Sequence, residues 1–257
     1  MLNFNYRNAT RVLFGKDEHR HIGAELQKLG IGKVLIVYGG GSAIKNGTIA
    51  AVQESLEAVG IEYFTMGGVR PNPQLSFAQK VKEVAVRSEV DCLLAVGGGS
   101  VIDTCKVAAA AAYYDGDPWD FFTKGVAIEK ALPVATVLTI PAAGSEQSVR
   151  MVINHQSLKL GTASEAIRPV LSVVNPELFY SLPKFQIAAG VVDMISHIFE
   201  RYFTNTPAVD YVSAQSEAAI RTAMTFGVKL MGNPADYDAW CQVAMVGSWA
   251  HNGYFGL

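Results

Sequence analysis

The sequence predicts a doubly wound α/β domain followed by an all-helical one, and three observations carry that expectation. Short apolar runs rich in β-branched residues alternate with helix-length segments up to Pro183. Two of those runs end directly in glycine clusters, Gly39-Gly-Gly41 and Gly97-Gly-Gly99. After Pro183 the apolar spacing is helical and no strand pattern returns.

Taken in order, Lys33-Val-Leu-Ile-Val-Tyr38 reads as a strand buried on both faces of a parallel sheet. Residues 47–59 carry Ile49, Val52, Leu56 and Val59 at helical spacing, and Gly60 closes that helix. A second strand over 61–65 leads to Arg70-Pro-Asn-Pro73, a loop stiffened by its prolines. Residues 74–88 are helical, and 91–96 form a strand running into Gly97-Gly-Gly-Ser100. An alanine-rich helix over 101–113 and a fourth strand over 134–139 complete the pattern. Helices follow over 184–203, 209–231 and 237–252. The boundary falls near Ser181-Leu-Pro-Lys184, giving domains 1–182 and 183–257.

Composition narrows the function classes. Half of the 257 residues are hydrophobic, enough for a large core, and the net charge of −2 supplies no basic field for nucleic acid. Cys92, Cys105 and Cys241 are too far apart for a metal knuckle, and the first two lie in apolar stretches, as expected of reduced thiols. The first residues hold no signal-peptide core, and the longest apolar stretch, around 107–114, is too short to span a bilayer. A cytoplasmic protein without membrane partners is expected.

The glycine clusters are the first candidate site. A backbone that turns sharply and approaches a phosphate closely needs glycine, and free N–H groups at the following helix start favour an anion. Gly97, Gly98, Gly99 and Ser100 fit a pyrophosphate seat at the start of the helix carrying Asp103; an ordinary strand-to-helix turn would use the same residues. The first cluster bears on cofactor choice. An acid at such a strand end binds ribose hydroxyls and repels a 2′-phosphate. Here Gly39, Gly40, Ser42 and Lys45 follow the strand with no acid, so NADP is favoured over NAD, unless Lys45 is simply a solvated lysine. Thr139-Ile-Pro-Ala-Ala-Gly-Ser145 follows the fourth strand, with Thr139 and Ser145 as hydroxyl donors beside room for a nicotinamide ring.

Asp193 and His197 lie four apart on a helix and leave the same face. A carboxylate and an imidazole so placed can share one divalent metal, although a helix-face hydrogen bond has the same spacing. The apolar neighbours Val191, Val192, Met194, Ile195 and Ile198 argue for a buried pair needing a metal partner.

Gly97-Gly-Gly-Ser-Val-Ile-Asp103, Thr139 to Glu146, and Ala189-Gly-Val-Val-Asp-Met-Ile-Ser-His197 occur in that order. Together with Asn175 to Pro183 and Arg70-Pro-Asn-Pro73, they resemble the iron-containing (group III) alcohol dehydrogenase family, on its butanol dehydrogenase and NADPH-dependent aldehyde reductase branch. The resemblance covers essentially the whole chain. It implies a Rossmann-like domain, then an incomplete helical domain of the dehydroquinate synthase-like fold. It further implies that Asp103 lies toward the nicotinamide, that Thr139 and Lys159 contact the cofactor, and that Asp193 and His197 are two of four ligands to Fe²⁺ or Zn²⁺. The other two family ligands are histidines beyond the point where this chain stops, so a C-terminally truncated chain is expected, with a naturally short form completed by a partner as the alternative.

His251 reads as a helix-end residue, His155 as a surface-loop residue, and His19 and His21 as part of an exposed N-terminal segment. No general base stands out. The implied reaction is NADP(H)-dependent hydride transfer between small aldehydes and primary alcohols, in a homodimer. A glycerol dehydrogenase, a dehydroquinate synthase-like lyase, a nucleotide-binding remnant and a scaffold module are the alternatives.

Overall fold

The structure, a computed structural model, describes residues 2–253 and 255. Among these the strands are β1 (Arg11–Phe14), β2 (Lys33–Tyr38), β3 (Glu62–Met66), β4 (Cys92–Gly97), β5 (Val134–Leu138), β6 (Arg150–His155), β7 (Leu158–Ala163) and β8 (Leu171–Val174). The helices are α1 (Ile22–Lys28), α2 (Ser42–Lys45), α3 (Thr48–Glu57), α4 (Leu75–Arg87), α5 (Gly99–Ala111), α6 (Asp120–Thr123), α7 (Lys184–Tyr202), α8 (Asp210–Gly232) and α9 (Tyr237–Ala250).

Six strands form one sheet in the order β1-β8-β5-β4-β2-β3, every neighbouring pair parallel. The chain runs outward from β2 to β3, then returns to place β4 on the other side of β2. That reversal makes the β2/β4 boundary a topological switch point, where ligands enter an open α/β sheet. In the register Tyr38 stands opposite Val96, so both glycine turns leave the sheet side by side.

Alternation along the central strands explains why both faces are covered. Leu35, Val37, Leu93 and Ala95 pack with Val81 and Ala85 of α4 and with Ile102 and Cys105 of α5. Val34, Ile36, Leu94 and Val96 face the other way, against Ile22 and Leu26 of α1 and Ile49, Val52 and Leu56 of α3. The first of these clusters continues without a break into Ile187, Val191, Met194 and Ile198 of α7 and Trp240, Val243 and Ala244 of α9. That continuous core fixes α7 against the sheet.

Four strands escaped the sequence reading. β1 and β8 are four residues each, too short for a period-2 pattern to register. β6 and β7 form an antiparallel hairpin apart from the main sheet, seated by Met151 and Ile153 on Leu75, Ala78, Val107 and Ala110. Two histidine expectations also need correction. His19 is not exposed: it is 5% accessible in a 3-10 turn over Glu18–His21, within 3.2 Å of Asn175 Nδ2, and burial lowers its pKa. His155 ends strand β6 rather than lying in a loop, and its ring sits 5.0 Å from that of Trp119. His21 is exposed as expected.

Candidate cofactor cleft and metal pair

A cleft of about 610 Å³ opens at the carboxyl edge of the sheet, lined by both glycine turns, Arg70, Thr139 and Ile140. Glycine leaves room at this turn: a Cβ on Gly98 would lie 2.1 Å from Ile140 Cγ2, and one on Gly97 would lie 2.4 Å from Val101 Cγ2, so a larger residue would force a shift. A Cβ on Gly40 would meet nothing within 4 Å, so the backbone faces open space on that side. Helix α5 starts at this cleft with no side chain capping its first turn. Its uncapped N–H groups, with the positive end of the helix dipole, suit an anion. These features fit a dinucleotide pyrophosphate. The Thr139 amide donates to Gly97 O at 3.1 Å, which holds Thr139 beside the turn.

One turn further along α5, Asp103 leaves this cleft and lines a second pocket of about 360 Å³ with Ser145, Lys159, Asp193, His197 and His251. The two spaces are neighbours: a Cβ on Gly99 of the first would lie 3.9 Å from Ser145 Cβ of the second. The loop after β5 sends Thr139 and Ile140 into the first and Ala143 and Ser145 into the second, while α7 contributes Gln186 to the first and His197 to the second. Phosphate seat and acid–imidazole pair therefore lie on one side of the molecule.

Within that pair, Asp193 Oδ1 lies 3.6 Å from His197 Nε2, close to the roughly 3.4 Å edge of a tetrahedral site with bonds near 2.1 Å. His197 Nδ1 lies 3.3 Å from Glu200 Oε2, the outer carboxylate contact that orients a ligating imidazole and leaves Nε2 free. The pair fits one edge of a metal site. Among the described residues no group of three His, Cys, Asp or Glu could hold an ion. The expectation of burial was wrong for Asp193: its side chain is 50% exposed and the neighbouring Val192 is exposed too, because the helix turns Val191, Met194, Ile195 and Ile198 toward the core instead.

His251 caps the end of α9, as the sequence suggested, but its ring lies 4.4 Å from that of His197. Arg201 Nη2 donates to His251 Nδ1 at 2.9 Å. Burial, then the charges of His197 and Arg201, push His251 down to about 4, so the ring is neutral. Its Nδ1 is taken by the guanidinium.

Beneath the second pocket lies a buried network that sequence reasoning missed. Lys106 is completely buried and donates to the carbonyls of Ser145, Ser148 and Arg150 and to Ser145 Oγ, all within 3.0 Å. Ser145 Oγ in turn donates to Asp103 Oδ1 at 2.6 Å, and the Val152 amide to Asp103 Oδ2 at 2.9 Å. Burial raises the Asp103 and Glu146 carboxyls and lowers Lys106 to about 8. Glu146 accepts from Ser248 Oγ at 2.6 Å, joining the loop to α9. The one sequence signal was a lysine inside an alanine-rich helix; buried lysines are rare unless paired.

Most of the expected residues converge. Gly39, Gly40, Ser42, Gly97, Gly98, Gly99, Ser100 and Thr139 line the cleft, and Asp103, Ser145, Lys159, Asp193 and His197 line the adjoining pocket. The Ser145 hydroxyl is committed to Asp103 rather than free for a ligand. Lys159 reaches Asn72 Oδ1 at 3.3 Å, tying the hairpin to the loop after β3. Lys45 is exposed and does not line the cleft; its Cε lies near Gly41 instead.

Fold and site together define an α/β nucleotide-type protein whose ligand cleft meets a candidate metal pair. The family model "Iron-containing alcohol dehydrogenase" matches residues 9–176, and the chain belongs to that family. It is 41% identical over 255 residues to "NADH-dependent butanol dehydrogenase B" of Clostridium acetobutylicum, covering 98% of this chain and 65% of that protein. It is 36% identical over 261 residues to an "NADPH-dependent aldehyde reductase" of Escherichia coli, covering 100% of this chain and 66% of the relative. The crystal structure of a Thermotoga maritima "NADH-dependent butanol dehydrogenase A" superimposes with a TM-score of 0.96 at 42% identity, over 98% of this chain and 64% of that one. The chain thus spans about 65% of the relatives it matches. No helix among the described residues is long and apolar enough to cross a membrane.

Proposed function

We propose that this chain supplies the NADP(H) site and part of the metal site of an oxidoreductase that moves hydride between small aldehydes and primary alcohols. The observation that carries the reading is that the same elements, α5, the loop after β5 and α7, line both the glycine-lined cleft and the pocket holding Asp193 and His197. Carrier and carbonyl can then meet over one substrate. Relatives named for NADH and for NADPH both match, so the choice between the two rests on the cleft itself. No carboxylate lines it, which favours the phosphorylated form.

In this reading the α5 N–H groups bind the pyrophosphate, and Thr139 positions the nicotinamide half. Ile140, Leu178 and Leu182 exclude water from the cleft. Asp103 is held in the second pocket by Ser145 and the Val152 amide, one helical turn from the glycine seat. Asp193 and His197 would hold Fe²⁺ or Zn²⁺, whose chemistry when bound is Lewis-acid polarisation of a carbonyl oxygen. The reacting groups gain mainly by being held in register.

A ligand set of two among the described residues favours a second reading, nucleotide binding without turnover, since a catalytic zinc normally takes three protein ligands. NADPH oxidation with butanal, measured with and without added Fe²⁺ or Zn²⁺, separates them. Metal-dependent turnover supports the enzyme. Binding without turnover at any metal level supports the second reading, and no binding of NADPH or NADH removes both.

A further inference from the structure

The cleft contains a charged group that the glycine turns do not explain. Among the residues lining it, Arg70 is the one ionisable side chain. It has no ion pair or hydrogen bond among the described residues, although it is exposed at the cleft. Its backbone is pinned where β2 ends: Gly68 N donates to Gly39 O at 2.9 Å, and Val69 N to Tyr38 O at 3.3 Å. Pro71 follows directly and restricts the backbone at Arg70 to extended conformations. The arginine is therefore anchored through its backbone next to the turn after β2, and it lines the same cleft as Gly39, Gly40 and Ser42.

In a doubly wound fold, that strand end faces the adenosine ribose, where an acid selects the free 2′-hydroxyl and an arginine accommodates a 2′-phosphate. A planar guanidinium can take two phosphate oxygens at once, which a lysine cannot. Resting on the dinucleotide reading above, we propose that Arg70 is the residue that selects NADP(H) over NAD(H), with Ser42 as a neutral hydroxyl partner. Lys45, which the sequence pattern suggested for this task, does not line the cleft.

The test is calorimetric titration of the full chain with NADPH, NADH and the fragment pair 2′,5′-ADP and 5′-AMP. Arg70→Ala is expected to weaken NADPH and 2′,5′-ADP by roughly 10- to 100-fold, as loss of a charge-assisted bond does, and to move NADH and 5′-AMP less than about twofold. Arg70→Lys should recover part of the loss, and Lys45→Ala should leave the NADPH-to-NADH ratio within about twofold. Raising salt from about 50 mM to about 500 mM should shrink that ratio in the unsubstituted chain and not in Arg70→Ala. An unchanged ratio in Arg70→Ala, with NADH still bound, overturns the assignment of Arg70 while leaving the cleft reading intact. Equal weakening of both dinucleotides also overturns it, because the arginine then serves the pyrophosphate. If the unsubstituted chain binds neither dinucleotide, the cleft reading fails and this proposal with it.

Discussion

The two adjoining spaces at the sheet edge are built from different materials. The phosphate-facing part of the cleft over β2 and β4 is made of backbone, the glycine turns and the open start of α5, with side chains such as Arg70, Ile140 and Leu178 around it. The pocket beside it is made of side chains from α5, α7, the hairpin and the end of α9, with several charges within one small volume. A backbone site is set as soon as the strand–turn–helix unit forms. A side-chain site exists only once distant elements have packed, so its cost and its function are distributed differently.

The sharpest way to break that comparison is Lys106→Met, which removes the cation beneath the second pocket and leaves Asp103, Ser145 and three carbonyls without it. Stranding a buried partner typically costs about 3–5 kcal/mol, so urea unfolding should show a loss of that order. Arg70 and the glycine turns are untouched; loss of stability without loss of nucleotide affinity in the folded fraction would confirm that the two spaces are built separately. The same residue gives a pH signature. Its folded pKa is about 8 against 10.5 for the free side chain, so between those values the unfolded chain binds more protons. The Lys106 contribution to stability should therefore rise with pH across that window, by on the order of 1 kcal/mol per unit, read as the difference between the unsubstituted chain and Lys106→Met, because the buried Cys92 and Cys105 thiols, both raised by burial, act in the opposite sense in either protein. Asp103, Glu146 and Arg168 are the charges acting on Lys106, and they remain in the variant.

Gly98→Ala addresses the backbone side. Its methyl would sit 2.1 Å from Ile140 Cγ2, so either Ile140 or the turn must move. Overpacking of this kind costs about 1–3 kcal/mol. Nucleotide affinity should fall by more than about tenfold, because Ile140 and the turn both line the cleft and one of them is displaced. Unchanged NADPH titration in a folded Gly98→Ala protein would sink the pyrophosphate seat.

The smallest expected effect on stability comes from Asp193→Asn. The carboxylate is half exposed and its ion pair with His197 is long, so unfolding free energy should change by less than about 0.5 kcal/mol. Metal uptake, followed by Co²⁺ absorption or by retention after gel filtration, should fall all the same. A large destabilisation with unaltered metal binding would make the pair a helix-face hydrogen bond, as the bare spacing also allowed.

How much of this was legible follows from the same contrast. The order of motifs around Gly97, Thr139 and Asp193 pointed to the family, and the central strands were readable because both of their faces are buried. Strands β1 and β8 and the off-sheet hairpin were not, being too short or paired away from the main sheet. His19 looked exposed from its polar neighbours, yet it is buried beside Asn175, far away in the chain. Lys45 looked like a phosphate partner because it follows the glycine turn, whereas Arg70, from the next loop, is the charge at the cleft.

By itself, the order of residues determined the glycine turns, the helix starts and the i,i+4 placement of Asp193 and His197. These depend on φ/ψ freedom and helical geometry, which act over a few residues. Tertiary structure alone decided which charges meet: Lys106 under Asp103, His251 beside His197, and Arg70 against the turn after β2. Such encounters are set by how the sheet and helices pack around one continuous core, and no local pattern encodes them.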